Sequence, residues 1–403
     1  MSSLRFRALF SILCISFLFL LIGCQSVLSN PSAVASPSPT PTTPSALKQP
    51  KFLFVGGQVP GGGAYEVFAV DAATGELTAL PGKTPDENVA KEILFEPGSS
   101  TLYASTGESE LMDLPGLHVF HFNSPDGSLT AVNQINNFGD WSSVASPDGT
   151  SLYINGFQSL SQFSVDKNSG ALTQSPLSPY PTDSLGQWML RMHPSGRFIY
   201  GTGLYPLNPP GPNGSNSVYH LIGFSLDPSS GTPVALSGFP HPEHLNGGVA
   251  IHSSGNFIVA AGANVIYSYR LDPTTGSVQL AGTTPFDGQN FPLLSPVIDP
   301  SGRYVYLCCA NNQLFAFRIM LPSGQLVPLP SSPIAVTQPD NDPEIPIAVS
   351  GSYLFLGQGR VLGPDLPSIA VFKIQDNGSL VPVPGSPFPE TAGFVKSLAV
   401  AEQ

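Results

Sequence analysis

The chain has 403 residues, only 10% of them charged, and a formal net charge of −12. No basic patch is visible, which excludes nucleic acid as a partner, and an acidic surface favours cations or neutral ligands such as sugars over anions. The 41 glycines and 43 prolines punctuate short apolar runs throughout, which excludes a helical array and predicts many strands joined by turns.

At the N-terminus, Arg5 and Arg7 precede an apolar run from Ala8 to Ile22. A charged start and so short a run read as a secretory signal rather than a spanning helix. The run ends in Leu21-Ile22-Gly23-Cys24, the pattern of a bacterial lipobox. Cys24 is therefore expected to become the lipidated first residue of the mature chain, with residues 1–23 discarded. Residues 24–50 are rich in proline, serine, threonine and alanine. They cannot bury a core and read as an extended, solvated tether. The expectation is an extracytoplasmic lipoprotein held to a membrane by its lipid, with residues 51–403 as a monomeric folded domain. Gln25 after the cysteine favours the outer membrane or the periplasmic side.

From Lys51 onward two turn markers recur. The first is a glycine followed by an apolar position, in Gly75-Glu76-Leu77, Gly127-Ser128-Leu129, Gly170-Ala171-Leu172, Gly231-Thr232-Pro233-Val234, Gly276-Ser277-Val278, Gly324-Gln325-Leu326 and Gly378-Ser379-Leu380. Copies 43 to 61 residues apart, set on short β-rich segments, signal a propeller or a solenoid. The second marker lies about half a period earlier. It is a Pro-x-Gly turn that opens a strand carrying tyrosine, as in Pro194-Ser195-Gly196 before Tyr200 and Pro300-Ser301-Gly302 before Tyr306.

The second marker has six copies against seven of the first. Residues 51–57 align with the strand after the missing turn, and residues 394–403 with the strand before it. The last residues are thus expected to supply the innermost strand of the first sheet, which closes a ring and removes two free sheet edges. The predicted fold is all-β: a seven-bladed β-propeller of four-stranded antiparallel blades, strands a to d running outward from the axis.

In such a disc the a–b and c–d turns share one face, and Asp71, Asp227 and Asp272 are placed to cap the c–d turns. The b–c and d–a connections share the other. Residues 56–65, 106–117, 203–218 and 357–368 read as long irregular loops there, and variable loops on a rigid scaffold are where function sits. Trp141 and Trp188 occupy equivalent places in adjacent blades. They either fill gaps between blades or form platforms for stacking on a sugar or another ring; Gln187 and Asn246 are further ligand-binding candidates. His241, Glu243 and His244 on one loop suit acid–base chemistry or a metal, although their spacing matches no zinc signature. Asp340, Asp342 and Glu344 alternate as calcium ligands do, without the glycine of the full calcium loop. No other cofactor is predicted. Arg191 is a charge in an inner strand, where its counterparts are Leu94, Val144, Ala250, Val297, Pro346 and Ala399. It needs a partner, either on a neighbouring blade or in an anion held in the channel. The adjacent Cys308 and Cys309 read as two small buried residues, with a vicinal disulfide as the alternative in an oxidising compartment.

The strand pair around His193-Pro194-Ser195-Gly196-Arg197-Phe198-Ile199-Tyr200-Gly201, the turn Asp272-Pro273-Thr274-Thr275-Gly276-Ser277-Val278 and the trailing segment 382–389 are similar to the lactonase-like seven-bladed propellers, also called 6-phosphogluconolactonase-like. The resemblance covers residues 51–403 and implies that fold. Enzymes of the family tend to carry Gly-Pro-Arg-His entering an inner strand and Asn-Glu after the next tyrosine. Here Gln187-Trp188-Met189 and Tyr200-Gly201-Thr202-Gly203 stand at those places. The expected function is therefore a binding or scaffold module that uses its loop face for a glycan, small molecule or protein. The alternative is a lactone hydrolase, with His241, Glu243 or His244 activating water and Arg191 stabilising the oxyanion.

Overall fold

The protein's structure, a computed structural model, describes residues 48–59, 62–82, 84–86, 90–95, 100–106, 116–123, 126–136, 142–207, 217–287, 295–310, 312–336, 347–358, 367–390 and 393–402. They build seven antiparallel sheets. Going outward, blade 2 is Ala90–Phe95, Thr101–Thr106, Gly116–Asn123 and Ser128–Asn136. Blade 3 is Ser143–Ala145, Ser151–Gly156, Ser159–Val165 and Leu172–Gln174. Blade 4 is Gln187–Met192, Phe198–Pro206, Ser217–Leu226 and Pro233–Ala235; blade 5 is Val249–Ile251, Phe257–Ala261, Val265–Leu271 and Val278–Pro285. Blade 6 is Ser295–Ile298, Tyr304–Ala310, Gln313–Met320 and Gln325–Pro328; blade 7 is Ile347–Ser350, Tyr353–Gln358, Ser368–Ile374 and Leu380–Pro382. In blades 1, 3, 6 and 7 a further strand of two or three residues prolongs the outer edge by pairing with strand c.

Blade 1 carries the closure. Its strands b to d are Pro50–Val59, Gly62–Val70 and Leu77–Ala79, and its inner strand is the end of the chain, Phe394–Glu402. Phe54 pairs with Ala399 and Val55 with Leu398. Each inner strand touches the next around the axis, and the terminal strand touches those of blades 2 and 7. The expected ring is present.

The b strands read as unbroken apolar runs because both of their faces are covered, one by each neighbouring blade. Seven clusters of buried side chains fill the seven gaps between blades. Between blades 3 and 4, for example, Val144, Tyr153 and Leu160 meet Leu190, Ile199 and Phe224. Each large apolar side chain so buried stabilises by about 1.5–3 kcal/mol.

The two sequence markers prove to be halves of one contact. Tyr153 Oη donates to the Gly231 carbonyl at 2.8 Å, Tyr200 to Gly276 at 2.7 Å and Tyr306 to Gly378 at 2.8 Å. In each pair the tyrosine of one blade reaches the c–d turn glycine of the next. Burial raises these phenols, that of Tyr153 to about 12. On the same face His193 Nε2 bonds the Gly255 carbonyl and His252 Nε2 bonds Gly302, both at 2.9 Å. The capping aspartates behave as expected. Asp227 Oδ1 accepts from Ser229 and Ser230, which hold its carboxyl down to about 2.

Three expectations are revised. The b–c connections are partly paired strand rather than loop: Val59 pairs with Gly62, Pro206 with Ser217 and Gln358 with Ser368. Extended backbone satisfies its own polar groups by continuing the ladder. The blade 7 counterpart of Arg191 is Ala348, paired with Phe355, and not Pro346. The a–b turn there has lost its proline and is shorter by two residues than that of blade 4, so alignment on the glycine misplaces the strand. Cys308 is buried and disulfide-bonded rather than a free thiol.

Candidate functional site: the hub of the disc

All seven inner strands line a central cavity of about 470 Å³. One register position goes fully round it: Leu94, Val144, Arg191, Ala250, Val297, Ala348 and Ala399. Six are apolar and one is charged. The charge is met from blade 2: Arg191 Nη1 donates to Glu92 Oε1 at 2.8 Å, and Glu92 Oε2 accepts the Ser143 N–H at 3.2 Å. The pair thus spans blade 3. Of the two partners sought for Arg191, the structure supplies a protein carboxylate.

A local irregularity sets this up. Between Trp188, paired with Thr202, and Arg191, paired with Tyr200, blade 4 has one residue too many. The bulge places Met189 in the left-handed region at φ 49°, an outlier for a long side chain. The Leu190 N–H, turned out of the ladder, is taken by Ser142 Oγ at 2.8 Å, and the Ser142 N–H by Asn155 Oδ1 at 2.9 Å. Met189 folds over Gly248 of blade 5, where a Cβ would lie 2.3 Å from its sulfur. It accepts a weak bond from Ser295 Oγ of blade 6 at 3.2 Å. One inner strand therefore sends a side chain across the hub in each direction.

His241, Glu243 and His244 lie elsewhere. Residues 241–245 run along the outer edge of strand c of blade 4, with the His241 N–H on the Leu221 carbonyl and the Leu245 N–H on the Tyr219 carbonyl. His241 Nδ1 contacts the Glu243 carboxylate, which also accepts from Tyr269 Oη at 3.4 Å. Burial, then the Glu243 charge, raises the Tyr269 phenol. His220, which the sequence did not single out, bonds the Glu243 carbonyl through Nδ1 and packs on the His244 ring at 5.3 Å. None of these side chains lines the hub cavity. Among the described residues, no three His, Cys, Asp or Glu converge as a metal site.

Gln187 and Trp188 head the inner strand of blade 4, paired with Gly203 and Thr202; their side chains lie outside the described residues. The Asn246 N–H bonds the Ala261 carbonyl, prolonging the inner edge of blade 5. Cys24, Trp141, Asp340, Asp342 and Glu344 lie outside the described residues. Glu92, the partner of Arg191, escaped sequence reasoning. Its signal was weak, because Lys91 stands beside it in the same inner strand and Lys396 and Glu402 lie in the inner strand of blade 1. No helix among the described residues is long and apolar enough to cross a membrane.

No protein-family model matches the chain, and no curated protein matches it by sequence. Solved structures do match. A candidate 6-phosphogluconolactonase of Bacteroides uniformis aligns over 88% of this chain and 100% of its own, with a TM-score of 0.68 and 15% identity. One from Bacteroides fragilis aligns over 89% and 100%, with a TM-score of 0.66 and 15% identity. The periplasmic gluconolactonase of Pseudomonas aeruginosa aligns over 87% and 98%, with a TM-score of 0.65 and 15% identity. The chain therefore has the fold of the 6-phosphogluconolactonase-like seven-bladed propellers.

Proposed function

We propose that the protein is a lipid-anchored, extracytoplasmic binding or scaffold module, which offers the loop face and hub of its propeller to a ligand. The observation that carries this reading is where the charged groups sit. Opening a lactone by the expected route needs a water-activating group and an oxyanion donor on one carbonyl, within about 3 Å of the reacting atoms. Here Arg191 lies in the hub against Glu92, while His241, Glu243 and His244 lie outside that cavity. The lipid on Cys24, the stacking platforms of Trp141 and Trp188 and a calcium ion at Asp340, Asp342 and Glu344 remain part of the same proposal.

The second reading is a lactonase-type hydrolase. A carboxylate and a guanidinium do meet inside the hub cavity, and one structural relative is a periplasmic gluconolactonase. A panel of sugar and aliphatic lactones, followed by proton release, separates the two. The expected result is no turnover above buffer, the same for the protein and for Arg191→Ala. Turnover that Arg191→Ala abolishes would establish the hydrolase instead.

A further inference from the structure

We propose that the c–d turn of blade 6 docks on the phospholipid surface of the membrane that carries the anchor, with Met320 and Leu321 entering the interface and Arg270, Arg303 and Arg318 meeting lipid phosphates. This rests on the lipid-anchor part of the proposed function and says which face of the disc turns to the bilayer.

The turn breaks the pattern of its neighbours. In the other blades the residue that opens it is Asp71, Asn123, Asp166, Asp227, Asp272 or Gln375; in blade 6 it is Met320, followed by Leu321. Polar residues suit that place because their side chains cap the turn. The replacement leaves Met320 43% and Leu321 57% exposed, and Val327, paired with Arg318 on the same hairpin, 47%. Exposed apolar residues scattered singly are ordinary, whereas three on one short hairpin form a patch of the kind that marks an interaction site.

Cations surround it. Arg318 lies two residues before Met320, on the same face of strand c. Arg303 opens strand b beside it, its carbonyl taking the Ile319 N–H. Both guanidiniums lie over the Tyr304 ring, 5.3 and 5.8 Å from its centroid for Arg303 and Arg318. Arg270 reaches across from blade 5, its Nε donating to the Ser323 carbonyl of the turn at 3.3 Å. All three arginines are exposed. Among the described residues none of them pairs with a carboxylate, in a chain with 27 acidic residues against 15 basic ones. Of the acids in this sector, Asp272 and Asp299 accept from N–H groups of their own turns, and Asp376 stands on the adjoining turn of blade 7. An apolar tip among free arginines matches a bilayer interface, where the acyl boundary lies just beneath a layer of phosphates.

The tether decides between a membrane and a protein as the occupant. The chain enters the disc on this same face. Lys48 and Gln49 lie against the a–b turn of blade 7, where a Cβ on Gly351 would be 2.8 Å from Gln49 Oε1 and 3.2 Å from the Lys48 carbonyl oxygen. Residues 24–47 can span at most about 80 Å, so the lipid on Cys24 keeps this face close to the bilayer and makes docking an intramolecular event. Docking leaves the loop face and the hub mouth turned outward.

The test uses the mature chain with Cys24→Ala and an N-terminal His tag, held by a nickel-chelating lipid on vesicles of phosphatidylcholine with or without phosphatidylglycerol. A polarity-sensitive fluorophore is attached at Gln325→Cys, in this hairpin, or at Phe157→Cys, which is 76% exposed between strands b and c of blade 3 on the opposite face. On vesicles with phosphatidylglycerol the fluorophore at 325 should shift to the blue and be quenched by brominated lipid, and the one at 157 should do neither. Arg303→Gln combined with Arg318→Gln should lower the ratio of docked to undocked protein about thirtyfold, the worth of two charges near an anionic surface. Leu321→Ser should lower it about five- to tenfold. No shift at 325, an equal shift at 157, or a ratio indifferent to these variants overturns the proposal. Uptake of labelled palmitate by the native chain, lost in Cys24→Ala, tests the anchor separately. Without uptake the anchor fails and this inference with it, whereas an acylated chain with no shift at 325 sinks the inference alone.

Discussion

A chain lacking residues 394–403 is expected to have no cooperative unfolding transition. The deleted segment is the inner strand of blade 1, paired along Pro50–Val59 from Pro50 with Glu402 to Gln58 with Phe394. It packs both ways: Val395, Leu398 and Val400 join the cluster against blade 7, and Ala399 and Ala401 the cluster against blade 2. Its loss removes about 1.5–3 kcal/mol for each large apolar side chain and about 1 kcal/mol for each ladder hydrogen bond. Together these exceed the 5–15 kcal/mol that typically separates folded from unfolded chains. The loss also exposes two hydrophobic faces and a raw strand edge, so aggregation should accompany it. Calorimetry and size-exclusion chromatography measure both effects. A truncated chain that stays monomeric and melts as sharply as the parent would mean that the tail is dispensable.

Gly302→Ala is expected to cost about 2–5 kcal/mol, from left-handed strain of about 1–2 kcal/mol and a lost buried hydrogen bond of about 1–3 kcal/mol. Gly302 sits at φ 71°, and a Cβ there would lie 2.3 Å from His252 Nε2. That ring cannot easily move aside. Its Nδ1 accepts the Ser254 N–H at 3.0 Å, so Nε2 carries the proton that it donates to the Gly302 carbonyl. One methyl group thus strains the backbone and expels the side chain that ties blade 5 to blade 6. The control is Gly238, also left-handed at φ 86° but with nothing within 4 Å of an added Cβ. Gly238→Ala should lose only the strain, about 1–2 kcal/mol. Thermal midpoints should therefore fall clearly further for Gly302→Ala. Equal shifts would show that the histidine contact adds nothing.

The fold was legible because every blade repeats one constraint and three blades repeat a second. A glycine is required where the c–d turn runs left-handed, at Gly231, Gly276 and Gly378, and a tyrosine four residues after the a–b glycine at Tyr153, Tyr200 and Tyr306. Local chemistry forces the glycine, which is left-handed in all seven c–d turns, so counting it counts the blades. That the two meet across the blade gap was not legible, because the contact joins residues some 70 apart in the chain.

The site was less legible for the same reason. Arg191 stood out as a charge among apolar counterparts. Its partner Glu92 is 99 residues away and becomes a neighbour only once the ring closes. The sequence groups Arg191 with His241, Glu243 and His244 because the d–a loops lead into the inner strands. The 241–245 segment instead prolongs the outer edge of blade 4 through its own backbone bonds. The bulge at Met189 left no turn residue to announce it; it shows only when Trp188 and Arg191 are placed against Thr202 and Tyr200.

Ring closure is tested most directly by amide hydrogen exchange, read by mass spectrometry on a peptide covering residues 394–402. Closure predicts that the amides of Val395 to Ala401 that bond to Pro50–Val59 exchange slowly and in step with that strand. Exchange of the terminal peptide within seconds, while Pro50–Val59 stays protected, would contradict it.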